Sequence, residues 1–331
     1  MNSHTERMVR GLIAGDSAGA LNSDFHIHSL PPKRVHRQRF LTELADRDHV
    51  TNVPRPFAHA NPPALLHPAP AEASEWFVFS YTLQHRTNAE RLEEWRELAA
   101  SRIDSRAGVR IGVHSALLNL SRGLAPHQAG NDNPHYFDDL AMVRAAAAAA
   151  AHDHEAAILE AAKEDAQYTT ARDGLWCAVA VALLLSRLAR GADGREAARA
   201  VAESLPSGTW SRRVAEDALA VAEQTPAPLA RARRLSVEVG DWIYSYPTAA
   251  PETLAFLLAH VAAASSAEDL MLGTLAQPHN GATLPALAGI AAALRFGEDW
   301  IPADVTIATS RLAGLSIPQL AGLTFADALT P

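Results

Sequence analysis

The stretch Gly130-Asn131-Asp132-Asn133-Pro134-His135-Tyr136-Phe137-Asp138-Asp139 places three carboxylates and an imidazole within eight positions. That set suits cleavage of a glycosidic bond. One carboxylate can activate water or stabilise an oxocarbenium-like centre, and a second acid can protonate the leaving group. Asp132, Asp138 and Asp139 are the candidate bases, His135 is the candidate acid or substrate holder, and Asn133 is a candidate contact to substrate. Asp138 or Asp139 could instead cap the helix that runs into the alanines beyond. Adjacent helical residues point about 100° apart, so at most one of the pair faces a pocket squarely.

Two other segments put small or polar residues where helices meet. They are Gly15-Asp16-Ser17-Ala18-Gly19-Ala20 and Pro278-His279-Asn280-Gly281-Ala282-Thr283, the second opening a helix from Leu284. Free amides at a helix start suit an anionic or hydroxyl-rich ligand. Trp76 offers a ring that could stack on a base or fill the core. His26-Ile27-His28 has no third metal ligand nearby, and His152-Asp153-His154 reads as a helix end followed by a helix start. The one cysteine, Cys177, sits among Trp176, Ala178 and Val179 and reads as a small buried apolar residue. No phosphate-binding loop, dinucleotide fingerprint, serine-hydrolase elbow or zinc spacing occurs.

The elements that must hold these groups are helices. Alanine and leucine dominate and β-branched alternation is scarce, so the chain reads as all-α, a compact orthogonal multi-helix bundle. The expected helices are 7–20, 37–48, 75–101, 104–120, 137–151, 155–168, 174–190, 194–205, 211–224, 228–239, 251–264, 267–275, 284–296 and 304–312. Gly11, Gly15 and Gly19, four apart, line one helical face and permit close approach of another backbone. The seven alanines 145–151 read as a central helix. The segments 22–70 and 121–136 read as polar loops, and no linker is long enough to divide residues 1–331 into domains.

Composition narrows the function classes. Hydrophobic residues make up 48% of the chain and charged residues 20%, with a net charge of −8. That balance shows no footprint for nucleic acid or an anionic membrane. The apolar stretch Val9 to Leu21 is interrupted by Arg10, Asp16 and glycines, and no run approaches bilayer-spanning length. With a lone cysteine, this leads to the expectation of a cytoplasmic protein.

In order and type, these segments resemble the ADP-ribosylglycohydrolase family, from Gly11 to about Gly297. Gly11 to Ala20 looks like the family's N-terminal Gly-Asp-x-x-Gly-Ala element, and 282–293 looks like its C-terminal metal-binding helix. The resemblance implies an all-α domain that cleaves the C1″ bond of ADP-ribose with two magnesium ions in a cleft of helix ends. The departures fall on the metal ligands. Opposite the family's early Glu stand Ser23 and Asp24, and opposite Thr-Asp-Asp-Thr at the start of an early helix stands Phe79-Ser80-Tyr81-Thr82. Asn280 and Ala282 replace two Asp of the family's Gly-Gly-Asp-x-Asp-Thr, Thr283 survives, and Thr169-Thr170 stands for the family's Thr-His. A hard divalent ion wants about six oxygens, carboxylates among them, so the binuclear magnesium site is expected to be lost and no metal site to remain. The expected function is metal-independent hydrolysis of a glycosidic bond in ADP-ribose, an ADP-ribosylated protein or a related nucleoside or nucleotide. The alternative is a pseudoenzyme that binds such a ligand. Asp16, Trp76, Ser80, Tyr81, Asn133, Asn280 and Thr283 are expected to line the substrate pocket.

Overall fold

A computed structural model describes residues 3–28, 72–102, 109–240, 248–277 and 281–330. The expected helix 37–48, the loop 65–70, Asn280 and the side chains of His26 and His28 lie outside the described residues. The helices are α1 (Ser3–His28), α2 (Glu72–Leu83), α3 (Asn88–Arg102), α4 (Ile111–Ser121), α5 (Pro126–Asn131), α6 (Leu140–Ala151), α7 (Glu155–Ala166), α8 (Arg172–Ala189), α9 (Gly194–Ser204), α10 (Trp210–Gln224), α11 (Pro228–Glu238), α12 (Ala250–Ala263), α13 (Ala267–Leu275), α14 (Thr283–Phe296) and α15 (Phe325–Ala328). No strand occurs among the described residues, only two isolated bridges. None of the described helices is long and apolar enough to cross a membrane.

The alanine helix α6 is the axis of the bundle. Residues 140–150 are all buried, and α2, α7 and α8 pack around it. Methyl side chains on every face let four helices approach one another closely, which larger residues would prevent. The glycine stripe acts in the same way at a second crossing. A Cβ on Gly15 would stand 2.1 Å from the carbonyl oxygen of Pro285, and one on Gly11 would stand 2.4 Å from that of Gly289. Helix α1 therefore lies backbone to backbone against α14, which brings Asp16 and Thr283 into the same region of the fold.

Some expected elements differ. Helix α1, expected to end at residue 20, runs on to His28, and the loop expected at 121–136 holds the short helix α5. The span 75–101 is two helices, because Thr87 and Glu90 form a reciprocal cap. The Thr87 amide donates to Glu90 Oε2 (2.7 Å) and the Glu90 amide to Thr87 Oγ1 (3.3 Å). The sequence Thr87-Asn88-Ala89-Glu90 carried that signal. The expected helix 304–312 is a run of turns. Its backbone pairs with a later segment instead, with Leu312 donating to the Leu323 carbonyl and Phe325 to that of Ser310. This pairing seats Phe325, fully buried, in the core.

Candidate functional site

The start of α2 is tied to the glycine helix. Asp16 Oδ2 accepts from both the amide and the hydroxyl of Ser74, at 2.9 and 2.6 Å. Asp16 Oδ1 is buried and has no hydrogen-bond partner among the described residues. Burial pushes this carboxyl up to about 7, against the Ser74 hydrogen bonds that favour its charged form, and the Glu72 and Glu75 carboxylates raise it further.

Beside it, one arginine draws groups from three parts of the chain together. Arg110, just before α4, donates through Nε to Glu72 Oε2 (2.7 Å). Its Nη1 donates to Asp138 Oδ1 (3.1 Å) and Asp139 Oδ1 (2.5 Å), and its Nη2 to Thr283 Oγ1 (3.0 Å). The two aspartates are held from behind. The peptide 137–139 pairs with the start of α12, Asp139 donating to the Thr248 carbonyl and Ala250 to that of Phe137. Asp139 Oδ2 accepts from Thr253 (2.6 Å) and its Oδ1 from Thr283 (2.7 Å). Asp138 Oδ1 accepts the Leu140 amide (2.9 Å) and its Oδ2 accepts Thr248 Oγ1 (3.3 Å). Asp138 Oδ1 thus satisfies the first amide of α6, whose N-cap residue is Asp139.

Asp139 is fully buried, and burial raises its pKa despite the opposing Arg110 charge. Glu72 is raised for the same reason and against the same arginine. The side chains of Arg110 and Glu72 keep 10% and 21% of their surface, whereas Asp138 and Asp139 keep 4% and 0%, so the cluster meets solvent through the first two. Among the described residues, no group of three or more His, Cys, Asp or Glu side chains is arranged to hold a metal ion.

With this geometry stands a match over nearly the whole chain: the ADP-ribosylglycohydrolase family profile covers residues 6–329. The chain belongs to the ADP-ribosylglycohydrolase family. Among solved structures, one titled an ADP-ribosylglycohydrolase-related protein complex is similar over 99% of this chain and 98% of that one. Its TM-score is 0.57 and its identity 18%, a likeness of fold. No curated protein matches the chain.

Phe79 to Thr82, the segment set against the family's helix-opening element, lie in the last turns of α2, whereas Ser74 and Glu75 stand near its start, bonded to Asp16 through Ser74. A carboxylate is therefore present there, as Glu75. It accepts the backbone amides of Leu315, Ser316 and Ile317 at 2.7 to 2.9 Å and so serves to anchor the C-terminal segment.

The other sequence candidates spread out. Trp76 is fully buried. Trp95 stacks on it at 5.7 Å, Phe79 meets it edge-on and the Arg144 guanidinium lies 5.7 Å from its ring, so its partners are core residues rather than a base. Ser80 is buried and donates to the Arg144 carbonyl. Tyr81 is half-buried and stacks on Phe77. Arg144 is neutralised by Asp165 (2.7 Å) and bonded to Thr169 (2.7 Å). Asn133 holds its loop closed by donating to the carbonyls of Gly112 and Thr169. Asp132 is exposed at the end of α5, and His135, half-buried, packs against Phe137. Of the sequence candidates, the structure gathers Asp138, Asp139 and Thr283, with Asp16 reaching the cluster through α2. Arg110, Glu72, Thr248 and Thr253 were not among them.

Proposed function

We propose that this member of the ADP-ribosylglycohydrolase family binds ADP-ribose, free or carried on a protein, or a related nucleotide at the Arg110 cluster, and that it leaves the glycosidic bond intact. The observation that carries this reading is the commitment of the two central carboxylates. Cleavage without a metal needs a carboxylate whose lone pairs can take a proton from water. Both oxygens of Asp139 accept hydrogen bonds, from Arg110, Thr253 and Thr283. Asp138 is taken up by Arg110, the Leu140 amide and Thr248. Arg110 stays protonated at any working pH, so it does not release them. The cluster meets solvent chiefly at the Glu72 carboxylate, whose oxygens suit ribose hydroxyls.

A second reading, hydrolysis without metal, is favoured by Glu72 itself. Its pKa is raised by burial and its side chain is the most open of the cluster's carboxylates, as a general acid requires.

Calorimetric titration with ADP-ribose in EDTA, beside incubation with an ADP-ribosylated peptide, separates the readings. The expected result is saturable binding that weakens in Glu72→Gln, with no ADP-ribose released. Release in EDTA that disappears in Glu72→Gln would establish the hydrolase. Absence of both binding and release would remove ADP-ribose as the ligand.

A further inference from the structure

We infer that Arg110 is a built-in cation that stands in for the divalent ions implied by the family resemblance, so that the intact cluster excludes magnesium and manganese. Thr283, the threonine retained from the family's metal-binding element, shows how. Its hydroxyl proton points to Asp139 Oδ1, and its oxygen accepts Arg110 Nη2. One of its two lone pairs is therefore turned to the guanidinium. The same holds for Asp139 Oδ1, 2.5 Å from Nη1, for Asp138 Oδ1, 3.1 Å from it, and for Glu72 Oε2, 2.7 Å from Nε.

The exchange makes chemical sense. A divalent ion gathers oxygens around a point, whereas a guanidinium presents N–H groups in a flat fork and collects the same acidic groups by hydrogen bonds. The fork is tethered to the backbone, so a chelator cannot remove it, and it cannot clear the site by losing its proton. A metal ion entering beside it would meet a fixed like charge only a few ångströms away. Three carboxylates surround this single positive charge, which leaves the cluster acidic. With the guanidinium gone, those carboxylates and Thr283 become a set of oxygen donors of the kind hard cations bind. The inference does not depend on what organic ligand the cleft takes.

Manganese alone, without nucleotide, tests it, with calorimetry and the electron paramagnetic resonance of free Mn²⁺ as readouts. The wild-type chain is expected to give no saturable isotherm. Arg110→Ala, checked for helical content by circular dichroism, is expected to gain a saturable site that Asp139→Asn abolishes when added to it. Arg110→Lys, which keeps a cation, is expected to stay blank. Saturable binding by the wild type that is lost in Asp139→Asn overturns the inference, as does a folded Arg110→Ala chain that binds nothing. Should Arg110→Ala not fold, Arg110→Gln takes its place, and the wild-type titration still decides whether the cluster excludes the ion.

Discussion

At the scale of single residues, two nearby glutamates on α2 do opposite work. Glu75 is fully buried and receives three amide donors from 315–317, while Glu72 keeps part of its surface and meets Arg110. Hydrogen bonds to a charged group contribute about 1.5–3 kcal/mol each, and an unpaired buried donor is costly in itself. Glu75→Ala is therefore expected to lower the unfolding free energy by about 3 kcal/mol or more in urea titration while the cleft's ligand affinity changes little. A large loss of affinity without loss of stability would contradict the anchoring role. The same scale shows what sequence could reveal. Asp138, Asp139 and Thr283 were visible because each sits in a short polar segment beside a helix start. Arg110 carried no local sign. Its partners are 28, 29, 38 and 173 positions away, and an arginine before an apolar helix is an ordinary surface pattern until the fold brings those partners around it.

At the scale of elements, the crossing of α1 and α14 positions the site. Glycines spaced by four residues were readable as a packing stripe, and their partner proved to be α14, where Gly289 answers Gly11 and Gly15. A Cβ at Gly15 would collide with the Pro285 backbone, which cannot move aside as a flexible side chain can. Overpacking of this kind typically costs about 1–3 kcal/mol, occasionally more. Gly15→Ala is expected near the upper end of that range, with weaker ligand binding because Thr283 is displaced from Asp139. An unchanged melting temperature would show that the helices can part without consequence. Helix α2 begins at Glu72, three residues before the expected start at 75. The Asp16–Ser74 pairing that ties this start to α1 spans 58 positions, and periodicity does not register such a contact. The turn run 304–312 escaped because its bonds are made to 322–325, and periodicity does not register such pairing.

At the scale of the whole molecule, buried ionisable groups set how stability responds to pH. Asp16 titrates near 7 in the folded chain against an ordinary value of 3.8, because burial disfavours its charge. Its neutral form favours folding, a contribution fully present below 3.8 and lost as pH rises through about 7. That contribution is worth roughly 4 kcal/mol at most. Asp139 and Glu72 shift in the same direction. Fully buried His260, its Nδ1 accepting from Arg231, is held neutral well below the usual histidine range and opposes them, since its contribution is lost as pH falls. Asp16→Asn, which carries a permanent N–H where the protonated acid has an O–H, isolates one group. Its melting temperature is expected to gain on that of the wild type as pH rises from about 4 to about 7 and to exceed it at pH 8. A gap that narrows toward pH 8 would contradict the assignment. The all-α architecture itself was legible throughout, since alanine content and helical spacing run the length of the chain; the long-range bonds between its parts were not.

The central claim, an arginine in the family's cation position within a ligand-binding cleft, is tested most directly by a crystal structure grown with ADP-ribose and excess manganese. The account predicts the ligand against Glu72, with the guanidinium still bonded to Asp138, Asp139 and Thr283 and no manganese among them. Paired manganese ions bridging those residues, with Arg110 turned away, would contradict it.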